Sequence, residues 1–143
     1  MFYSNNTVSE SIMQMLKSKP IKQLGIIFAK VGAAIFLERK RIARPPFMVD
    51  NNMMVLLCNK ETNLEFIYYF LKNIRISKYA QVGALPSITG RDLQTVKINV
   101  PVFDEQIKIA NFFSAIDSKV NILNKELKII KNFKKGLLQQ MFC

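Results

Sequence analysis

The sequence contains no histidine, no tryptophan and two cysteines, and its 10 acidic residues are fewer than half its 21 basic residues. The missing histidine removes the side chain that serves most often as a general base and as a metal ligand. Cys58 and Cys143 form no C-x-x-C pair, so the sequence indicates neither a zinc site nor a disulfide framework. Glycine-rich cofactor loops are also missing. We therefore predict a protein that is not itself an enzyme and that holds no metal and no cofactor.

The sequence also lacks a hydrophobic run long enough to cross a membrane. Its most apolar stretch, "LGIIFAKVGAAIFL" at 24–37, is too short to span a bilayer and carries Lys30 at its centre. No signal peptide opens the chain. Two separate thiols fit a reducing compartment. We predict a cytoplasmic protein without a membrane partner.

Positive charge is what the sequence has in excess, with a formal net charge of +11. A charge of this sign and size favours polyanionic partners, of which nucleic acid is the commonest. Double-stranded DNA is therefore the first partner class to consider.

The apolar pattern along residues 1–103 changes between helical and strand periods, which indicates an α+β fold with a small mixed sheet. Apolar residues on one helical face predict helices within 6–20 and 61–79, each opening with a Thr and a Glu at capping-box spacing. Gly32 marks a turn between two strands. Short apolar runs predict buried strands, and strict alternation predicts a half-buried one; the predicted strands cover 24–31, 33–43, 53–58 and 95–102.

From Asp104 onward the apolar period changes to seven residues, which predicts a long coiled-coil helix. Asp104 and Glu105 suit the positive start of a helix, and lysines lie toward its negative end. A helix cannot cover its own seam, so pairing with another chain, or with a further piece of the same gene product, is expected. The predicted helix-pairing seam consists of Ile109, Phe113, Ile116, Val120, Leu123, Leu127, Ile130, Leu137 and Met141.

Basic, aromatic and hydroxyl side chains in four stretches are candidates for DNA contact. Arginine reads guanine edges, and arginine and lysine both neutralise phosphates. Hydroxyls in glycine-flanked loops bind phosphate oxygens. Each has an ordinary alternative: charged runs are usually solvated, Tyr79 closes a helix against the core, and hydroxyls stabilise turns. The candidates are Lys30, Arg39, Lys40, Arg41, Arg44, Arg75, Lys78, Tyr79, Ser87 and Thr89.

The segment "RPPF" at 44–47 superficially resembles the N/D-P-P-Y/F motif of DNA amino-methyltransferases. In that motif an Asn or Asp accepts hydrogen bonds from the target amino group, and Arg44 has no acceptor to offer. A loop is therefore the better interpretation of this segment.

The junction "INVPVFDEQIKIANFFSAID" at 98–117 resembles the specificity (S) subunit of type I restriction–modification systems. In that family a strand ends in a segment like "iPlPpleEQ" and leads into a long helix that ends near "kkgLLqqlF"; here the helix ends in "NFKKGLLQQMF". The stretches "IIFAKVGAAI", "NLEFIYYFLKN" and "ALPSITGRDLQTVKI" match the family in order and spacing, so the resemblance covers roughly 8–142. Phe36 stands where the family usually has a glycine.

The resemblance implies that each recognition domain reads one half of a split DNA sequence, while paired helices set the gap and dock the modification subunits. We expect the back part of one target-recognition domain at 1–103 and the conserved spacer helix at 104–143, in a chain that begins mid-domain. Its expected partners are double-stranded DNA, the modification (methyltransferase) and restriction subunits, and a second copy of itself. The alternative is an interaction module that no longer reads DNA and docks on the modification subunit through its last helix.

Overall fold

A computed structural model describes residues 7–15, 19–81 and 83–142 of the chain. Short helices and a small antiparallel sheet precede one long C-terminal helix, which confirms the predicted α+β class. The elements in chain order are α1 (Glu10–Met15), β1 (Gly25–Ala29), a 3₁₀ helix (Ala33–Leu37), β2 (Lys40–Ala43), β3 (Met53–Leu56), α2 (Leu64–Asn73), a second 3₁₀ helix (Ile76–Tyr79), α3 (Gly90–Gln94) and α4 (Phe103–Phe142).

The sheet has the strand order β2-β1-β3 within the described residues, and both pairs are antiparallel. Ile26 on β1 lies opposite Ile42 and Leu56, so these three side chains share one face of the sheet. Helix α2 packs against that face, and burying each large side chain there stabilises the fold by about 1.5–3 kcal/mol. The buried core consists of Ile26, Phe28, Ile35, Leu71, Ile76 and Ile88.

Residues 33–43 do not form the single strand that the sequence predicts. Gly32 turns the chain with a φ of 76°, which glycine adopts without steric cost, and its N–H donates to the carbonyl oxygen of Pro86 at 2.8 Å. A 3₁₀ helix follows, and β2 begins at Lys40. The prediction was wrong because a short apolar run fits a buried strand and a short helix equally well.

Residues 95–102, all of which the structure describes, form no strand, although their alternation predicts one. Val96 and Ile98 are half-buried and line an open groove of about 450 Å³ beside β3 and α2, whereas Val102 is 73% exposed. Only the first half of the alternation coincides with burial, since Val100 is also exposed (47%), and the segment pairs with no described strand. Sequence periodicity reports which side chains are buried, but it does not report whether a neighbouring strand is present.

The helix starts differ from the predicted capping boxes. Asn63, and not Thr62, caps α2, because its side-chain oxygen accepts from the backbone N–H of Phe66 at 2.9 Å. Helix α1 begins at Glu10, two residues later than a cap at Thr7 requires, and Leu16 of the predicted helix lies outside the described residues.

Helix α4 continues for 40 residues, which corresponds to a length of about 60 Å. Near its start, Gln106 and Ala110 are each 1% exposed, and α2 contacts this part of the helix. From Ser118 to Phe142 every residue is exposed except the half-buried Gly136. The predicted long helix is therefore confirmed. Its last 25 residues extend away from the small domain, by which we mean the described residues that precede α4.

Candidate nucleic-acid interface

Glu38 organises the turn that separates the first 3₁₀ helix from β2. It adopts a left-handed backbone conformation with a φ of 51°, and its carboxylate accepts from Lys40 Nζ at 2.8 Å. The same carboxylate accepts from the backbone N–H groups of Ile76 and Ser77, at 3.0 and 2.8 Å. Burial alone raises the pKa of a carboxyl group, but these hydrogen bonds outweigh it and lower the pKa of Glu38 to about 2.

Lys40 is a structural residue in this fold and not an exposed cation. It is 8% exposed, lies on the core face opposite Phe28, and donates from Nζ to Glu38 and to the carbonyl oxygen of Ile74, each at 2.8 Å. Its ammonium group is thus held inside the domain, because a buried charge needs such partners. Contact between Lys40 and a phosphate, as the sequence predicts, requires this network to open.

Three exposed cations lie on the two segments that Glu38 joins. Because its carboxylate binds the backbone at 76–77, the turn that carries Arg39 lies against the segment that carries Arg75 and Lys78. We call these three residues the basic end of the domain. Tyr79 is half-buried in the same 3₁₀ turn as Lys78.

Lys30 and Ser87 lie together beside the turn at Gly32. The carbonyl oxygen of Lys30 accepts from the N–H of Ile88 at 2.8 Å, and Val31 forms an isolated bridge with Ser87. Both Lys30 and Ser87 are half-buried. The structure therefore brings together two predicted site residues that are 57 positions apart in the sequence.

Thr89 stabilises the start of α3, as the alternative interpretation of the sequence proposes. Its hydroxyl donates to the carboxylate of Asp92 at 2.7 Å and accepts from the backbone N–H of the same residue. The side chain and the backbone N–H of Thr89 lower the pKa of Asp92, a direction that fits a carboxylate in a capping box.

Arg44 lies apart from the basic end, whereas Arg41 is two residues along the chain from Arg39. Arg41 pairs with Ile27, so its side chain is on the sheet face opposite the core. Arg44 follows Ala43 at the far end of β2, and five residues of extended chain separate it from Arg39 by about 17 Å. The ten predicted residues thus occupy several regions and do not form one patch.

The junction between the domain and α4 is built around Gln106, which sequence reasoning missed. Its amide oxygen accepts from the backbone N–H of Asn63 at 2.8 Å. Its amide nitrogen donates to the carbonyl oxygens of Pro101 and Glu61, at 2.9 and 3.3 Å. Gln106 stands at the last position of the segment that resembles "iPlPpleEQ", so the resemblance was the available signal.

A second contact joins α4 to the outer part of α2. Asp117 accepts from the hydroxyl of Tyr69 at 3.2 Å and from Lys72 Nζ at 3.1 Å. The ring of Tyr69 also packs on Phe113, with centroids 5.3 Å apart. Burial, followed by the charge and the hydrogen bond of Asp117, raises the pKa of Tyr69 to about 12. Phe113 therefore serves the domain as well as the predicted seam.

Most of the predicted seam on α4 faces solvent in the single chain. Leu123 is 53% exposed and Ile130 is 62% exposed. The structure also reveals a second exposed apolar stripe that the heptad count does not include. Its members lie beside the seam on the helix surface and comprise Phe112, Ile122, Ile129 and Phe133. Together the seam and this second stripe present apolar side chains around a wide part of the helix.

None of the helices that the structure describes combines the length and the apolar character that spanning a membrane requires. The same described residues contain no group of three or more histidine, cysteine, aspartate or glutamate side chains placed to hold a metal ion.

Comparison with known proteins identifies the family. The family model of the type I restriction modification DNA specificity domain matches residues 2–132. The putative type I restriction enzyme MjaX specificity subunit of Methanocaldococcus jannaschii is 25% identical over 126 residues, which cover 82% of this chain and 30% of that protein. The MjaVIII specificity subunit of the same organism is 26% identical over 112 residues, which cover 76% of this chain and 25% of that protein. The chain thus spans less than a third of the length of these curated relatives. Because the family match covers most of its 143 residues, the chain belongs to the family of type I restriction modification DNA specificity domains.

Proposed function

We propose that this chain recognises DNA sequence and takes part in subunit assembly as all or part of the specificity subunit of a type I restriction–modification complex. The observation that carries the proposal is an exposed basic end on a small domain that is joined at two points to a 40-residue helix. Residues 1–103 are the recognition part and residues 104–143 the spacer and assembly part.

Charge supports DNA contact by the small domain. Residues 1–102 contain 14 basic and 6 acidic residues, and two of those acids, Glu38 and Asp92, are engaged in hydrogen bonds within the domain. The basic end carries three exposed cations that suit phosphate neutralisation and guanine contact. Arg41 and Tyr79 are its neighbours along the chain, whereas Arg44, and Lys30 with Ser87, provide further contact regions. Lys40 and Thr89 also belong to the proposed contact residues, although in the free chain Lys40 is bonded to Glu38 and Ile74, and Thr89 to Asp92.

The exposed seam supports pairing of two copies through α4. Beyond Asp117 the helix extends for 25 residues, or about 37 Å, and a heptad seam of this length needs a partner helix. Two copies paired in antiparallel fashion place their recognition domains at opposite ends of a coiled coil. This arrangement imitates a subunit with two recognition domains and sets the gap between two DNA half-sites.

The second apolar stripe supports docking of a further partner. A two-stranded coiled coil covers the seam of each helix, and Ile129 and Phe133 then stay exposed beside it. Exposed apolar patches on a helix usually mark protein contacts. The modification subunit, with the restriction subunit recruited to the same complex, is the partner that we propose for this stripe. The chain itself contributes binding and spacing and no bond-making chemistry.

A second candidate function follows from the same exposed helix. The apolar surface of α4 suffices for assembly whether or not the domain reads DNA. In this alternative the chain is an interaction module that docks on the modification subunit, and the basic end is a solvated surface.

DNA binding by the complex of this chain with the modification subunit separates the two candidates. Fluorescence anisotropy with labelled duplexes at roughly 50 and 200 mM salt gives both the affinity and its salt slope. Recognition predicts a steep slope together with a preference for some sequences over others. Assembly with the modification subunit but no DNA binding, or binding that does not depend on sequence, contradicts recognition and leaves the interaction module.

A further inference from the structure

Gln106 connects three backbone groups from two separate segments of the domain. It is 1% exposed, although it lies in the first turn of α4, and its amide group bonds to Pro101 and to the segment of Glu61 and Asn63. Asn63 is also the residue that caps α2. A single buried side chain therefore ties the start of α4 to the start of α2.

Asp117 provides a second tie between the same two helices. It lies 11 residues after Gln106, which places the two contacts about 16.5 Å apart along α4. Its partners Tyr69 and Lys72 lie in the later part of α2, so α2 and α4 run side by side in the same direction. Two points of contact define the direction of a rod, whereas one point leaves it free to pivot.

The two ties are unequal in strength. The ion pair between Lys72 and Asp117 is exposed, with both side chains more than 40% accessible, so water and salt weaken it. The hydrogen bonds of Gln106 are shielded from water, and removal of that side chain leaves backbone groups without partners. The direction of α4 therefore depends more on Gln106 than on Asp117.

A small change in the direction of α4 has a large effect at its far end. A tilt of 10° about Asp117 displaces the end of the helix, about 37 Å away, by about 6 Å. Neighbouring base pairs are separated by about 3.4 Å along DNA, so this displacement corresponds to nearly two base pairs. A helix that measures a gap on DNA must therefore be fixed to within a few degrees.

We infer that Gln106 is a positioning residue that fixes the direction of α4 relative to the domain and thereby sets the gap between the two DNA half-sites. The part that concerns the gap rests on the proposed function, whereas the part that concerns direction does not. A glutamine suits this position because its amide presents both an acceptor and two donors. Glutamate lacks the donors, and methionine, of similar shape, lacks the donors and a strong acceptor.

The direction of α4 is measured by the distance between spin labels on the domain and on the helix. Labels at Glu65 on α2 and Lys135 on α4, both exposed, are introduced as cysteines after Cys58 and Cys143 are replaced by serine. A small fraction of labelled chain is mixed with unlabelled chain so that distances between copies do not contribute. A tilt of 10° about Asp117 moves Lys135 by about 5 Å, mostly across the line that joins the two labels, so their distance changes by about 1–2 Å. Pulsed electron spin resonance resolves a change of this size when the distribution is narrow.

The parent protein is expected to show one narrow distance distribution. Gln106→Met and Gln106→Glu are expected to shift or broaden it by about 1–2 Å, whereas Gln139→Met, the same change at an exposed site of α4, leaves it unchanged. Hydrogen exchange of the β1 amides reports whether the domain stays folded. An unchanged distribution in both Gln106 variants overturns the inference, as does loss of β1 protection in both, because Gln106 is then required for folding rather than for direction.

DNA binding is measured separately, so that the inference and the proposed function fail independently. Duplexes whose half-sites are separated by different gaps are expected to be discriminated less sharply by Gln106→Met than by the parent protein. If the parent complex does not select a gap while the spin-label distances change as expected, the proposed function fails and the role of Gln106 in fixing direction stands.

Discussion

The replacement Glu38→Gln tests the network that forms the basic end. Glutamine keeps the length of the side chain but removes its charge, so Lys40 loses its ionic partner while its side chain stays 3% exposed. The amide nitrogen of glutamine is a donor and cannot accept a hydrogen bond. Three donors converge on this position, from Lys40 and from the backbone of Ile76 and Ser77, so the amide cannot satisfy them as the carboxylate does. We expect a large loss of stability, because an unpaired buried charge is costly.

The size of the effect follows from the pKa of Glu38. Lowering that pKa from 4.5 to about 2 corresponds to at most about 3 kcal/mol in favour of the charged, folded state. The side chain of Glu38 is 21% exposed, and solvent screening reduces the interaction. We therefore expect Glu38→Gln to lower the free energy of unfolding by about 2 kcal/mol at pH 7.

The pH dependence has a definite sign. Because the folded-state pKa of Glu38 is depressed, its contribution is present above pH 4.5 and is lost as the pH falls toward 2. The parent protein is therefore expected to lose about 2 kcal/mol over this range through Glu38. The Glu38→Gln variant has no such group, so the difference in stability between the two proteins should disappear near pH 2.

Urea unfolding followed by tyrosine fluorescence measures this difference, because the tyrosines of the described chain lie in the domain or beside it. Glu126→Gln, an exposed change on the far part of α4, is the matched control and should leave the unfolding midpoint unchanged. Equal stability of the parent and the Glu38→Gln variant at pH 7 refutes the argument. So does a difference between them that persists unchanged to pH 2.

Three further replacements test the helix, the proposed DNA surface and the junction. Leu123→Asp with Leu127→Asp should abolish self-association or docking on the modification subunit, because charges cannot be buried in the seam; sedimentation measures this. Arg39→Ala with Arg75→Ala should weaken DNA binding and reduce the slope of log affinity against log salt by about 0.9 for each phosphate that is no longer neutralised, as measured by anisotropy. Ala110→Leu should destabilise the packing of α2 on α4 by about 1–3 kcal/mol through overpacking, measured by hydrogen exchange at the junction.

Each of these replacements has a control on an exposed part of α4. Asn121→Asp with Asn132→Asp makes the same charge change away from the seam, and an unchanged assembly state in the leucine variant contradicts the coiled coil. Lys125→Ala with Lys128→Ala removes two charges from the helix, and an equal loss of DNA affinity there argues against the basic end. Ala115→Leu enlarges an exposed alanine, and an equal response at both alanines contradicts close packing at the junction.

The long helix could be predicted almost to the residue because a heptad repeat is a local pattern that needs no knowledge of the rest of the fold. Asp104 and Glu105 marked its start, and the observed helix begins one residue earlier, at Phe103. The α+β class could also be predicted, since the apolar pattern of the domain contains both helical and strand periods. A strand at 95–102 was predicted wrongly, because alternation carries no information about strand pairing and only Val96 and Ile98 of this segment are half-buried beside α2.

The candidate site was less predictable because its geometry depends on residues far apart in the sequence. Glu38 binds the backbone 38 and 39 positions further along, and such contacts leave no periodic signal. The segment "ERKR" therefore looks like a uniform cluster of cations, whereas the fold buries Lys40 and leaves Arg39 at the surface. The second stripe on α4 could have been predicted, since Ile122 and Ile129 are seven residues apart. The seam has the longer heptad repeat, however, and its pattern is the more prominent of the two.

Selection of binding sites from random double-stranded DNA by the complex with the modification subunit tests the central claim most directly. Two identical copies paired through α4 are related by a two-fold axis, so their recognition domains should read the same short sequence twice, in inverted orientation. The account predicts enrichment of such a repeat with one fixed gap. Binding that enriches no sequence, or two half-sites with a variable gap, would contradict it.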